Sequence, residues 1–407
     1  SWKAYVSKLN HRTPIKKVWE MIRKITGKSK SPSYTHLNTD GEKKSSTKKD
    51  IADTLGETFM KNSSSRNYSK SFQNLKKDEE KRKLNFKSLN KEVYNNPFNL
   101  SELIEAIEKS HDTATGPDEI HYQMLKHLPR NSLLTLLDIF NNIWHTGVYP
   151  ETWRLATIIP IPKQGKDHAE PTNYRPIALT SCLCKTMERM INKRLMWYLE
   201  SNNLISEFQS GFRSERSTND NLIRLETFIR NAFINKEHVV AIFFDLEKAY
   251  DTTWRYGILK DLHDLGLRGR LPSFIQSFLE DRTIQVRVGS TLSDLYDQEQ
   301  GVPQGSILST TLFNIKINNI VQCLDDKTDC SLYVDDFCIC YRSKNMRIIE
   351  RKLQQNLNRI ENWATNNGFK FSKSKTQCVH FCQLRKKHND PKLYLYGSLI
   401  PVVEEAK

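Results

Sequence analysis

The chain has 407 residues, 38% hydrophobic and 10% aromatic, which is enough for two or three domains' worth of core and too apolar for a disordered polymer. No run approaches the roughly 20 consecutive apolar residues of a membrane helix, and Ser1 opens a basic, polar segment without a signal-peptide profile. The net charge of +15 is concentrated in residues 1–90, where 22 Lys and Arg face 9 Asp and Glu. That leaves phosphate-backbone binding and a solvated, Lys-rich linker as the two ordinary readings of the N-terminal part.

These features predict an intracellular protein, or a fragment of one, since the first residue is not Met. Residues 1–92 alternate short amphipathic pieces, such as Val18-Met21-Ile22-Ile25, with Ser/Lys/Asn-rich stretches at Ser29–Ser33, Lys43–Lys49 and Asn62–Ser71. They read as a basic, partly disordered linker or extension with little core of its own. Composition changes at Phe98, where the folded part is expected to begin. Asn99 and Glu102 offer a capping box, and Leu100, Leu103, Ile104 and Ile107 share a helical face. Thr115–Asp118 reads as a turn, and Leu133, Leu136, Leu137, Phe140 and Ile143 as the apolar side of a helix over 132–144.

Ala156–Lys163 is a β-branched strand ending in Pro and a basic loop through Lys166. Asn173–Ile177 leads into a helix with Met187, Met190, Ile191, Leu195 and Leu199 on one side. A further helix over about 220–234 aligns Leu222, Leu225, Ile229 and Phe233. Val239–Phe244 is a continuous apolar run, the pattern of a strand buried on both faces, with Asp245 at its carboxyl end. Gly301-Val302-Pro303-Gln304-Gly305-Ser306 is a loop opening a helix. Gly301 and Gly305 permit close backbone approach there, and Gln304 offers an amide to a base or sugar. Met346–Trp363 repeats apolar residues at helical spacing toward a Gly368 cap, and a basic strand or loop, Lys370–Lys375, follows. Mixed strands and helices make the class α+β.

All eight Cys lie at or after Cys182, and no paired C-x-x-C knuckle occurs, so structural zinc is not expected. Cys378-His380-Cys382 is the nearest approach to such a site. Reduced thiols are the expectation.

Leu332-Tyr333-Val334-Asp335-Asp336 places two adjacent carboxylates inside an apolar, β-branched run, as a tight turn between buried strands would. A solvated hairpin tip is the bland reading of that pair, and an N-cap is the bland reading of Asp245. If the two strands share a sheet, three carboxylates converge. They would raise one another's pKa unless divalent cations compensate them, and two such cations suit in-line nucleotidyl transfer.

Taken in order, these motifs resemble the reverse transcriptase of a non-LTR (LINE-type, jockey-like) retrotransposon, from about Phe98 to the end. Phe244–Asp251 resembles the first palm motif of that family, Gly301–Ser306 the second, Tyr333–Asp336 the third and Gly368–Thr376 the fourth. Asn173–Ile177 and Gln209–Arg213 resemble the fingers motifs, and Gly116–Asp118 the element ahead of them. The resemblance implies a right-hand polymerase fold, with a fingers extension over 93–140 and fingers and palm over 141–407. It implies an RNA-directed DNA polymerase using an RNA template, a DNA primer and dNTPs, working in cytoplasm and nucleus within a ribonucleoprotein.

Asp245 and Asp335 would hold two Mg²⁺ ions, with Mn²⁺ as a substitute, and Asp336 would close the cluster. Tyr250 would bar a 2′-hydroxyl, or simply pack in the core. Lys163 and Arg175 would hold the triphosphate, Gln304 would touch the template–nucleotide pair, and Lys375 would assist the leaving pyrophosphate. A viral RNA-dependent RNA polymerase is disfavoured, because Tyr250 stands where such enzymes carry a sugar-reading Asp. In relatives a Leu-Gly turn that grips the primer and a helical thumb follow the fourth motif. The chain stops at Lys407, where that turn would start, so both are expected to be missing. Residues 1–92 also lack the motifs of an endonuclease. The alternative reading is a catalytically idle, nucleic-acid-binding remnant.

Overall fold

The computed structural model describes residues 36–39, 42–43, 47–384 and 388–406. The amphipathic piece Val18–Ile25 and the stretch Ser29–Ser33 lie outside them. Asn38–Thr39 (β1) and Glu42–Lys43 (β2) form a minimal hairpin. Lys48–Asn62 (α1) starts where the Asp50 amide donates to the Thr47 hydroxyl, and Lys70–Glu79 (α2) where the Phe72 amide donates to that of Ser69.

This segment corrects the expectation of a linker with little packing, and the folded part begins well before Phe98. Ile51, Leu55 and Phe59, four residues apart, bury one face of α1 against Ala156, Ile158, Ile284 and Val286. Gly56 lies so close to the Tyr296 ring that a Cβ would meet it at 2.3 Å. Tyr68 and Phe72 meet edge to face, and Phe72 meets Trp254 likewise. The stripe is narrow and set in polar sequence, so average composition conceals it.

Leu100–Glu108 (α3) carries the expected capping box, with Asn99 and Glu102 exchanging hydrogen bonds. Tyr122–Lys126 (α4) and Arg130–Thr146 (α5) follow, the latter ended by Gly147 at φ 69°. Leu155–Pro162 (β3) pairs antiparallel with Tyr174–Leu179 (β4), a strand where the sequence reading runs straight into a helix. Pro176 is tolerated because β4 is a sheet edge. Next come Cys182–Ser201 (α6) and Thr218–Ile234 (α7). Leu222 stays exposed on α7, while Leu225 and Ile229 face the core.

His238–Phe244 (β5) leads to Arg255–Asp264 (α8), Arg270–Leu279 (α9), Thr283–Val288 (β6), Thr291–Leu292 (β7) and Tyr296–Asp297 (β8). The chain ends with Ile307–Ile317 (α10), Asp329–Tyr333 (β9), Asp336–Ser343 (β10), Met346–Asn367 (α11), Gln377–Phe381 (β11), Tyr394–Leu395 (β12) and Ser398–Leu399 (β13).

Two sheets organise these elements. One runs β11-β5-β10-β9 and is antiparallel throughout; the other runs β4-β3-β6-β7, with β8 beside β6 and a parallel β3–β6 pair. In β5, Val240 and Ile242 face the α11 side with Leu353, Leu357 and Ile360, while Val239 and Ala241 face α7. Burial on both faces explains the unbroken apolar run. A third core joins Leu103, Phe140, Leu195, Ile258 and Phe274, so the division expected at 140/141 passes through shared packing. The α+β class and the right-hand arrangement hold: an antiparallel palm sheet flanked by helices, and fingers of helices and strands.

Candidate active site

Asp336 pairs with Tyr333 across the β9–β10 hairpin, leaving Val334 and Asp335 as its tip. Val334 has φ 62°, a left-handed conformation that costs a β-branched residue about 1–3 kcal/mol. The fold around it supplies the compensation. The buried Gln209 side-chain oxygen accepts the amides of Val334 at 3.0 Å and Gly211 at 2.8 Å, while Ser210 donates to the Leu332 carbonyl at 2.9 Å. Gly211 must be Gly, because a Cβ would lie 2.5 Å from the Val334 side chain. The Gln209–Gly211 motif therefore backs the Asp335 turn, a positioning role that sequence reading did not assign.

Asp245 follows the last residue of β5. Phe244 pairs with Phe337, one step from Asp336, so the strand end and the hairpin tip share one edge of the palm sheet. The Asp245 carbonyl accepts the Ser372 amide at 2.8 Å, which ties the basic segment 370–375 to that edge. Burial pushes the Asp335 carboxyl up, and the charges of Asp336 and Asp245 add to the effect against a backbone hydrogen bond. Asp336 is also pushed up, by desolvation first and Asp245 second. Among the described residues, the ion pair to these carboxylates is Lys375 Nζ to Asp245, at 3.0 and 3.2 Å from its two oxygens. The three carboxylates share one sheet edge and feel one another's charge, although their oxygens do not all lie within 4.8 Å of one another; hard oxygen donors with undercompensated charge suit a divalent cation, and Lys375 pairs with Asp245 there.

The facing wall is built by close backbone approach. Gly301 has φ 83°, and a Cβ there would lie 2.5 Å from the Tyr250 and Asp251 carbonyls; one on Gly305 would lie 2.6 Å from the Ala178 carbonyl. The loop is pinned by Val302 donating to the Tyr250 carbonyl and Ala178 donating to that of Gln304, at 2.9 and 2.8 Å. Gln304 Nε2 donates to Asp251 Oδ1 at 3.2 Å. Burial pushes Asp251 up to about 6, with Gln304, Lys248 and Lys163 pulling the other way.

The Tyr250 ring stacks on Phe313 with centroids 5.0 Å apart and planes 12° apart. Burial, then the Asp335 charge, raises its phenol, so the ring both packs and borders the carboxylates. Burial lowers the Lys163 ammonium pKa, and the charges of Lys375 and Arg175 lower it further, which marks a shared basic field across the two sheets. Arg175 lies exposed on β4 opposite Ile161, and Lys163 Nζ donates to the Thr172 carbonyl at 2.9 Å.

Glu188 is a second residue that sequence reading missed. Fully buried on α6, its carboxylate accepts from the Ser306 hydroxyl at 2.5 Å and from the Ile307 and Leu308 amides at 2.8 and 3.3 Å. It caps α10 from another helix and so fixes the end of the Gly301–Gly305 loop. An isolated Glu in the apolar face of α6 was the available signal.

An antiparallel palm sheet with carboxylates at one edge, faced by a Gly-spaced loop and basic strands, is the architecture of a right-hand nucleic-acid polymerase. Within that class the chain belongs to the reverse transcriptase (RNA-dependent DNA polymerase) family, whose model matches residues 161–396. It is 32% identical over 76% of its length to a probable RNA-directed DNA polymerase from transposon X-element of Drosophila melanogaster, covering 34% of that protein. It is 31% identical over 70% of its length to the RNA-directed DNA polymerase from mobile element jockey of the same fly, covering 32% of it. For the probable enzyme from transposon BS, also of that fly, the figures are 32% identity, 69% of this chain and 32% of the relative. The chain thus spans about a third of the length of the curated relatives it matches. Among solved structures, apo telomerase from Candida tropicalis truncated from its C-terminal domain overlaps 64% of this chain and 58% of that chain, at 17% identity and a TM-score of 0.45. Among the described residues, no helix is long and apolar enough to cross a membrane.

Proposed function

We propose that the chain catalyses RNA-directed DNA synthesis, joining dNTPs to the 3′-hydroxyl of a DNA primer on an RNA template. Asp245 and Asp335 would hold two Mg²⁺ ions, which Mn²⁺ can replace, with Asp336 closing the cluster. The observation that carries this reading is the meeting of Asp245 with the Asp335–Asp336 turn at one edge of the β5–β10 pair. Bound there, such ions activate the attacking hydroxyl and stabilise the departing oxyanion. The primer 3′-hydroxyl would give up its proton to solvent as its oxygen bonds to the α-phosphorus, the bond from that phosphorus to the oxygen bridging to the β-phosphate would break, and pyrophosphate would leave.

The protein's part is positioning and charge. Lys163 and Arg175 grip the triphosphate, the first as a point charge and the second through paired hydrogen bonds. Lys375 exchanges Asp245 for the leaving pyrophosphate and donates a hydrogen bond to it. Tyr250, held flat by Phe313, blocks a 2′-hydroxyl. Gln304, oriented by Asp251, meets the template–nucleotide pair, and Tyr333 flanks the carboxylate hairpin. Residues 93–140 act as a fingers extension and 141–407 as fingers and palm. The presence of all these side chains favours an enzyme over a catalytically idle, nucleic-acid-binding remnant.

The test is extension of a DNA primer annealed to RNA, with deoxy- and ribonucleotides in competition. The parent chain should extend with dNTPs in Mg²⁺ and prefer them over ribonucleotides, and Asp335→Asn should lose at least about a hundredfold in rate. Equal extension by Asp335→Asn would remove the assigned site.

A further inference from the structure

β5 begins at His238 and leads into Asp245, on the order of 20 Å away at strand spacing. His238 is buried, and its Nδ1 lies 3.0 Å from Nε2 of His380 on the neighbouring edge strand β11. Cys382 follows that strand directly. The donor atoms of His238, His380 and Cys382 all lie within 4.8 Å of one another, the one group of three or more His, Cys, Asp or Glu among the described residues to draw that close. A fourth group stands beside them: the His388 ring lies 4.5 Å from that of His238, centroid to centroid, and His388 Nε2 is buried without a hydrogen-bond partner among the described residues.

A plain hydrogen bond between two imidazoles would account for the 3.0 Å contact alone. It does not account for the rest. His380 Nδ1 lies 3.1 Å from Asp390 Oδ1. A carboxylate there takes the ring proton on Nδ1 and leaves the Nε2 lone pair aimed into the cluster. Among the described residues His388 Nε2 meets no acceptor or donor, and a thiol completes the set. Two ring nitrogens and one sulfur drawn together, with one His backed by a carboxylate and His388 next to the group as a fourth donor, match the donor types of a tetrahedral site for a borderline-soft divalent cation, unlike the oxygen donors at the other end of β5.

We propose that His238, His380, Cys382 and His388 form a structural zinc site that staples β11 and the segment after it to the start of β5. The Cys382 thiol releases its proton to solvent on binding, and no coordination position remains open for chemistry. Cys378, which the sequence spacing pairs with His380 and Cys382, pairs instead with Ile242 in the palm core, and His238 from the adjacent strand takes its place.

Zinc content of the purified full chain, after dialysis against metal-free buffer, tests this by elemental analysis. About one equivalent should remain in the parent and in Asp335→Asn, which separates this site from the catalytic carboxylates. Cys382→Ser and His380→Asn should retain below about a tenth of it. Cobalt-loaded parent should show a thiolate-to-metal charge-transfer band that Cys382→Ser lacks. Because Cys382 is only partly buried, that variant should keep the parent's circular dichroism. A metal-free parent that takes up neither zinc nor cobalt, or equal zinc in parent and Cys382→Ser, would overturn the assignment.

Discussion

Asp251 illustrates how a residue can sit in a site and work against the fold. Its folded pKa, pushed up by burial to about 6, exceeds the ordinary carboxylate value, so between those two limits the folded chain binds more protons than the unfolded one. Stability from this group is therefore greatest below the unfolded pKa and declines as pH rises through about 6. Asp251→Asn should stabilise the chain by roughly 1–3 kcal/mol at pH 7–8 and hardly at all near pH 4. Melting curves across that range check it, and a gain independent of pH would contradict the stated cause.

The same scale shows what a sequence exposes. Asp245, Asp335 and Asp336 were legible because a carboxylate inside an apolar run is an anomaly needing a partner. Gln209 and Glu188 were not, because their partners are backbone amides more than 100 residues away, invisible until Val334 and Ile307 are placed.

Among the elements, α10 depends on a group it does not contain. Its Ser306 side chain makes no cap hydrogen bond to its own first turn, and the Glu188 carboxylate takes that role. Glu188→Ala should leave the Ser306 hydroxyl and two amides unpaired, cost about 2–4 kcal/mol, and raise KM for the incoming nucleotide by loosening the Gly301–Gly305 loop. Glu188→Gln keeps an acceptor and should retain most of the affinity. Thermal unfolding together with KM measures both, and a stability loss with KM unmoved would separate the cap from the loop.

Elements with long, regular stripes, such as α11 with Ile349, Leu353, Leu357 and Ile360, could be read directly. β4 could not, since Pro176 and the exposed Arg175 mask an edge strand. Nor could α1 and α2, whose few apolar residues find their partners only in the fingers sheet and on Trp254.

At the scale of the molecule, β5 is the axis. Its two faces are buried by α7 and α11, its carboxyl end meets the Asp335–Asp336 turn, and its amino end meets His380. Enclosure on both faces fixes the backbone that leads into Asp245, and the proposed two-metal chemistry would need such positioning because displacement by an ångström is expensive in rate.

The claim that these three carboxylates are a metal site for nucleotide addition is tested most directly by anomalous scattering. The measurement uses crystals of the full chain holding primer, template, a non-transferable dNTP and Mn²⁺. The account predicts two manganese peaks about 3.5–4 Å apart, between Asp245 and Asp335 and against the triphosphate. Nucleotide bound without manganese at those carboxylates would contradict it.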